Sequence, residues 1–143
     1  MIYVGIVGAE SAKFTPSREL KAKSMIERLL EPQGTILVSG GCHLGGIDIW
    51  AEEIADALGR SKVIHYPTVL EWARGYKPRN IKIAETSEVV HNITVASYPP
   101  DFDGMKFEAC YHCISKSHVK SGGCWTAKYA RTLGKTVYWH IIA

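Results

Sequence analysis

The sequence predicts an α/β domain built on a mostly parallel sheet of about five strands. Short β-branched runs alternate with stretches in which apolar residues recur every three or four positions, and this alternation is typical of strands joined by amphipathic helices. A strand–helix–strand order also favours right-handed crossovers between parallel neighbours. The predicted strands are Ile2–Val7, Thr35–Ser39, Lys62–Tyr66, Val89–Ala96 and Thr136–Ile142.

The ends of the predicted helices carry recognisable signals. Thr15 can cap a helix that has Pro16 at its first position, and Gly59 and Gly134 stand where a left-handed residue ends a helix. The predicted helices run from Pro16 to near Pro32, from Ile47 to Leu58, from Arg79 to Glu85 and from Cys124 to Leu133.

Two segments do not match either pattern clearly. "TVLEWARGYKP", residues 68–78, predicts one helical turn followed by a loop. Residues 97–120 are rich in turn formers and contain no clear element, so we interpret them as an insertion within a single domain spanning residues 1–143.

Composition indicates an ordinary globular protein. The chain has 143 residues, of which 46% are hydrophobic and 22% charged, and this balance argues against disorder. Its start lacks the features of a signal peptide, and no apolar run approaches the ~20 residues that span a bilayer. We therefore expect a cytoplasmic protein without a membrane partner, in which the four cysteines are thiols or metal ligands.

Charge is concentrated in one part of the chain. The formal net charge is only +3, but six basic residues and the single acid Glu108 lie between Lys106 and Lys135. This excess favours an anionic partner, and it is equally compatible with a solvated surface.

Three glycine-bearing loops follow predicted strands, namely Gly8-Ala9-Glu10, Gly40 to Gly46, and Ser121 to Cys124. The carboxyl ends of parallel strands share one edge, where ligands of α/β sheets bind. Glycines before a helix let a phosphate approach unpaired N–H groups, although glycines also make tight turns without any ligand. The loops contain neither a GxGxxG sequence nor the GK[ST] of a P-loop. Their convergence on one edge favours phosphate binding.

Three stretches resemble conserved segments of the DNA-processing protein A family. They are "ILVSGGCHLGGIDIWAEEIADALG", "RNIKIAETSEVV" and "SGGCWTAKYARTLGKTVY", and they occur in the family's order. On these segments the chain is identified as a small, stand-alone member of the SLOG superfamily, which also contains the lonely-guy phosphoribohydrolases. The resemblance implies a Rossmann-like three-layer sandwich that binds nucleotides, nucleotide-derived ligands or single-stranded DNA, and it implies a homo-oligomer.

The resemblance also assigns site residues. The motif positions that would surround a ligand are Gly8, Ala9, Glu10, Ser39, Gly40, Gly41, Gly46, Asp48, Arg79, Asn80, Ser121, Gly122, Gly123 and Thr126. Arg79 suits a phosphate because its guanidinium presents a fork of donors. Asp48 suits a sugar hydroxyl, and an acid in the first turn of a helix is equally explained by the helix dipole.

One departure bears on catalysis. The phosphoribohydrolases have a PGGxGTxxE segment, and here Trp125 replaces a glycine and Tyr129 stands at the glutamate position. We therefore expect a binding protein without catalytic residues. A phosphoribohydrolase-type enzyme, with Glu10 as the remaining acid, is the alternative. A second alternative is single-stranded nucleic-acid binding, for which Tyr76, Tyr111, Trp125 and Tyr129 could stack on bases.

The cysteines suggest a metal site. Cys110, Cys113, His118 and Cys124 form a C-x2-C-x4-H-x5-C pattern, and zinc prefers four sulfur or imidazole ligands. A structural zinc would order the turn-rich insertion. A redox Cys-x2-Cys pair and simple packing are the alternatives, and His112 could replace His118 or Cys124 as a ligand.

Overall fold

The computed structural model describes all 143 residues and contains one five-stranded sheet. The strands are β1 (Ile2–Gly8), β2 (Thr35–Ser39), β3 (Ser61–Ile64), β4 (Val89–Val95) and β5 (Thr136–Ile142). All neighbouring pairs are parallel, and the order across the sheet is β3-β2-β1-β4-β5. The predicted fold class is confirmed, and the sheet is wholly parallel.

Four helices cover the two faces of the sheet. They are α1 (Pro16–Leu30), α2 (Ile47–Ala57), α3 (Lys77–Thr86) and α4 (Gly122–Thr132). Helices α1 and α2 pack over one apolar cluster that includes Ile6, Leu37 and Ile93, and α3 and α4 pack over a second on the other face. The sandwich therefore has three layers, because each face of a parallel sheet has to be covered.

The predicted helix signals operate in the structure. The Thr15 side chain accepts a hydrogen bond from the Arg18 N–H at 3.3 Å, and Gly59 and Gly134 have positive φ values at the helix ends. Helix α4 begins two residues earlier than predicted, so Gly122 and Gly123 form its first turn and not a separate loop.

The ambiguous segment before α3 also differs from the prediction. Residues Trp72–Tyr76 form a π-helical turn that continues directly into α3, which begins at Lys77. Pro78 is accommodated in the first turn of α3, where its missing N–H breaks no intrahelical bond. Strand β3 is shorter than predicted and ends at Ile64.

Residues 97–120 contain neither a helix nor a strand. They contain one antiparallel bridge, between Cys110 and Ser115. The end of the segment is tied to the sheet because Val119 donates its N–H to Val95 and its carbonyl accepts from the Thr94 hydroxyl. No helix of the chain has the length and apolarity needed to cross a membrane.

The chain order places a switch point between β1 and β4. The connections through α1 and α2 build the sheet outwards from β1 in one direction, and the connection through α3 returns across it to β4. At a switch point the loops on either side diverge to opposite faces and leave a crevice beyond the carboxyl ends of the strands.

The start of α4 packs directly against the sheet at this switch point, with no side chain between them. A Cβ atom at Gly123 would lie 2.5 Å from Asn92 Oδ1 and 2.6 Å from the Gly8 nitrogen. A Cβ atom at the neighbouring Gly122 would meet nothing within 4 Å. The two glycines therefore have different roles, one in packing and one at an open surface.

We predict that Gly123→Ala destabilises the protein by about 2 kcal/mol, because the methyl group forces α4 away from β1 and β4. The matched variant Gly122→Ala should change the free energy of unfolding by less than about 1 kcal/mol. Urea denaturation of both variants measures the difference. Equal stability of the two variants would show that the close approach of α4 is not required.

Candidate functional site

A cavity of about 720 Å³ lies at the switch point, beyond the carboxyl ends of β1 and β4. This volume is within the range of small-molecule sites. Eight of the residues predicted for the site line it: Gly8, Glu10, Asp48, Arg79, Asn80, Gly122, Gly123 and Thr126. All three predicted loops, together with α3, therefore contribute to one cavity.

The other predicted residues lie behind this wall, and two of them build the start of α2. Gly46 has φ of 83° and packs so closely on the Ala9 carbonyl that a Cβ atom would collide with it. The same carbonyl accepts the Ile47 N–H at 3.2 Å. The first and second loops thus bind each other, and these groups are already satisfied by the protein.

The remaining four also do not line the cavity. Gly40 contacts the Arg79 guanidinium, and Gly41, with φ of 59°, faces the Tyr66 ring. Ser39 and Ser121 are fully buried, and the Ser39 hydroxyl has no hydrogen-bond partner. We have no physical account of the unpaired Ser39 hydroxyl.

The start of α4 has free backbone donors beside the exposed Gly122. The Cys124 N–H is bonded to the Ser121 carbonyl at 3.1 Å, whereas the N–H groups of Gly122 and Gly123 have no acceptor in the protein. Such N–H groups and the partial positive charge of a helix start attract anions.

Two lysines that the motif comparison did not single out also line the cavity. The Lys13 side chain is buried, with its ammonium 3.0 Å from the Lys120 carbonyl and 3.5 Å from the Glu10 carboxylate. Burial lowers the pKa of Lys13, and Glu10 partly offsets this effect. Lys120 also lines the cavity, and its ammonium lies over the Tyr111 ring at 5.2 Å. The sequence signal that could have identified Lys13 is its position in the loop between β1 and α1, which follows the carboxyl end of a strand.

Arg79 has a divided role. Its Nη1 donates to the Gly40 carbonyl at 2.6 Å and its Nε donates to Asn80 Oδ1 at 2.7 Å, so these two nitrogens fix the second loop to α3. The third guanidinium nitrogen, Nη2, has no hydrogen-bond partner in the protein, and Arg79 lines the cavity. One donor of the predicted fork thus remains for a ligand.

Asp48 is a buried acid on the cavity wall. Its Oδ2 accepts the Cys42 N–H at 3.1 Å, which holds the second loop. Burial raises the pKa of the Asp48 carboxyl to about 6, although Arg79 and the Cys42 N–H act in the opposite direction. A titratable group in a cavity whose pKa is shifted by burial and by a neighbouring charge is typical of functional sites.

Aromatic side chains line a large part of the cavity. Trp72 and Trp125 meet at a centroid distance of 5.1 Å and an interplanar angle of 82°. The Arg79 guanidinium lies 5.4 Å from the centre of the Tyr76 ring, and Tyr111 also lines the cavity. Trp72 was missed because its segment gave no clear periodicity.

The hydrolase position does not face the cavity. Tyr129 stacks on Trp125 at 5.3 Å with an interplanar angle of 8°, and it packs against the cluster under α3 and α4. The carboxylates that line the cavity are Glu10 and Asp48.

The predicted metal ligands converge in the structure. The ligand atoms of Cys110, Cys113, His118 and Cys124, hereafter the Cys3His cluster, all lie within 4.8 Å of one another. A tetrahedral zinc site with bonds of about 2.3 Å separates its ligands by roughly 3.8 Å, so small side-chain rotations suffice. The four side chains could hold a metal ion. His112 instead lines the cavity.

Neighbouring groups orient two of these ligands. His118 Nδ1 lies 2.9 Å from the Ser117 hydroxyl, while its Nε2 points to Cys124 Sγ at 3.7 Å. Asn92 Nδ2 donates to Cys124 Sγ at 3.4 Å. Hydrogen bonds of this kind commonly orient the imidazoles and thiolates that bind a metal.

The cluster adjoins the cavity. Tyr111 and His112 lie between two of its cysteines and line the cavity, and the His112 carbonyl accepts from Lys128 Nζ at 2.7 Å. Cys124 follows directly after the two glycines at the start of α4. The part of segment 97–120 that carries the cluster therefore also forms part of the cavity wall.

Comparisons with known proteins bear on the fold. No protein-family model and no curated protein sequence matches the chain. Among solved structures, DNA processing protein A from Streptococcus pneumoniae superposes with a TM-score of 0.61 at 16% identity, over 97% of this chain and 50% of that one. The structural-genomics target TM1055 gives 0.61 at 17% identity, over 96% and 72% of the two chains.

A third structure is the molybdenum cofactor carrier protein of Chlamydomonas reinhardtii. It superposes with a TM-score of 0.63 at 19% identity, over 97% of this chain and 75% of that one. At these identities the likeness concerns the arrangement of helices and strands. The chain has the same Rossmann-like fold as these three structures.

Proposed function

We propose that the protein binds a nucleotide or nucleotide-derived ligand in the cavity, with a phosphate at the start of α4. One observation carries the proposal. The unpaired N–H groups of Gly122 and Gly123 and the buried ammonium of Lys13 belong to the same cavity. Backbone donors, a helix start and a lysine together are a common arrangement for phosphate.

The neighbouring structures support a ligand-binding use of this fold. One is named for processing DNA and another for carrying a cofactor. Single-stranded nucleic acid is the second candidate ligand, favoured by aromatic side chains beside basic ones. An enzyme of the phosphoribohydrolase type is less well supported, because Tyr129 occupies the position of that family's glutamate and packs away from the cavity.

Gly122→Val tests the phosphate position. Its side chain would extend into open space at the start of α4, so we expect the fold to survive and nucleotide affinity to fall at least tenfold. Thermal shift and calorimetry with nucleoside mono- and diphosphates and a short oligonucleotide measure binding, and the mixtures are assayed for free base. Ala57→Val, an exposed change at the far end of α2, is the control. Unchanged affinity in Gly122→Val would refute this phosphate position, and base release would favour the enzyme.

Asp48 provides a second test, because a buried carboxylate retained for function lowers stability. Its folded pKa of about 6 exceeds the unfolded value of about 3.9, so the free energy of unfolding falls as pH rises through this interval. Asn does not titrate, so the free energy of unfolding of Asp48→Asn should not fall in this way. We expect the variant to be about 2 kcal/mol more stable than the wild type at pH 8, equally stable near pH 4, and weaker in nucleotide binding.

Urea denaturation at both pH values measures the effect of Asp48→Asn. Glu53→Gln, an exposed acid on the same helix, should show no such dependence on pH. A variant no more stable than the wild type at pH 8 would contradict the proposed burial cost.

We further propose that the Cys3His cluster holds one structural zinc. Three sulfurs and an imidazole complete a tetrahedron, which leaves no open position for catalysis. Backbone strain next to the cluster supports this assignment. Ile114 has φ of 52°, a conformation that costs a β-branched residue about 1–2 kcal/mol, and it follows Cys113 directly. The Ile114 side chain is 85% exposed and gains no packing in return, so a metal bond at Cys113 would account for the turn.

Elemental analysis of the purified protein should find about one equivalent of zinc. Cys110→Ser and Cys124→Ser should each lose most of it, whereas Cys42→Ser, which removes the cysteine outside the cluster, should retain it. Because Tyr111 and His112 belong to the same segment, zinc removal should also weaken nucleotide binding. Wild-type protein without metal and with all four thiols free would reject the assignment.

A further inference from the structure

We propose that Trp72 and Trp125 form a platform for a planar heteroaromatic ring, and that this platform gives the cavity its preference for nucleotides over sugar phosphates. The inference rests on the proposed function and extends it, since it states which part of the ligand each wall contacts.

The two walls of the cavity differ in chemistry. Lys13 comes from the connection between β1 and α1 and is buried beside the Lys120 carbonyl. Trp125 comes from α4, and Trp72 from the turn that leads into α3, so the indoles approach from the opposite face of the sheet. One side of the cavity therefore carries the Lys13 ammonium, and the other carries the two indoles together with the Arg79 guanidinium. A ligand that complements both has an anionic group at one end and an apolar, polarisable ring at the other.

The indoles are placed to accept such a ring. Their planes stand at 82° and form a corner, and Tyr129 stacks on Trp125 with an interplanar angle of 8°, which fixes the orientation of that indole. Trp72 has Trp125 as its single aromatic partner and is 45% exposed. A tryptophan this exposed on a cavity wall leaves much of its ring without a contact, and ring stacking would supply one.

Polar groups near this wall suit a nucleobase better than an alkyl or acyl chain. Asn80 and Thr126 are almost fully buried and line the same cavity, and the Asn80 amide uses its oxygen for Arg79. The Asn80 amide N–H2 group and the Thr126 hydroxyl make no hydrogen bond with a side chain or backbone group of the protein. They could therefore bond to heteroatoms at the edge of a stacked base, as polar groups in ligand sites commonly do.

The test separates the two ends of the ligand. Calorimetry with the four ribonucleoside monophosphates identifies the best nucleotide, and its nucleoside and ribose 5-phosphate are then compared. We expect Trp72→Leu to weaken the nucleotide and the nucleoside about tenfold and to leave ribose 5-phosphate unchanged. Trp72→Phe should restore most of the affinity because it keeps a stacking face. Lys13→Met should show the opposite pattern and weaken both phosphates but not the nucleoside.

Tyr138→Leu, an exposed aromatic change on β5, is the matched control and should have no effect. A nucleobase stacked on Trp72 should also quench tryptophan fluorescence in the wild type, and the quenching should decrease in Trp72→Phe. The platform is refuted if Trp72→Leu weakens ribose 5-phosphate and nucleotide equally, or leaves both unchanged, or if the wild type binds both equally well. Absence of binding by every phosphate to the wild type would instead refute the proposed function itself.

Discussion

The close approach of α4 to the ends of β1 and β4 is the constraint on which the rest of the site depends. No side chain fits between Gly123 and its neighbours Gly8 and Asn92, so the helix start is held directly over the switch point. This contact places Gly122 and Trp125 on the cavity wall and brings Cys124 to the Cys3His cluster. A shift of α4 would therefore disturb the proposed phosphate, metal and ring contacts together.

The second and third glycine-bearing loops look alike in the sequence but have different roles in the structure. The start of α2 is tied to two loops, because the Ala9 carbonyl accepts the Ile47 N–H and the Asp48 carboxylate accepts the Cys42 N–H. The start of α4 has unpaired N–H groups at Gly122 and Gly123, and Gly122 is exposed and has no side chain that would keep a ligand from its N–H. The second loop is best understood as a support that holds Arg79 and Asp48 in position, while the third loop is the better candidate for direct contact with an anion.

Burial of charge is the physical reason for the proposed anionic ligand. Lys13 is desolvated, and its ammonium donates to the Lys120 carbonyl but has only a long contact with a carboxylate, that of Glu10, so its charge is incompletely compensated. An incoming phosphate would supply the missing negative charge in a region of low dielectric, where the interaction is stronger than in water. Natural proteins retain such unfavourable groups where function requires them, at the expense of stability.

The sequence by itself determined the fold class, the order of the elements and the residue types of the site. Periodicity identified all five strands and the four main helices, because burial on one or two faces imposes a spacing on apolar residues. The spacing of the four metal-ligand candidates was likewise visible in the chain. Only the tertiary structure decided which glycines are structural, that Lys13 and Trp72 belong to the cavity, and that Tyr129 packs away from it. These facts depend on how elements from opposite faces of the sheet meet, and distances of that kind have no signature in local sequence.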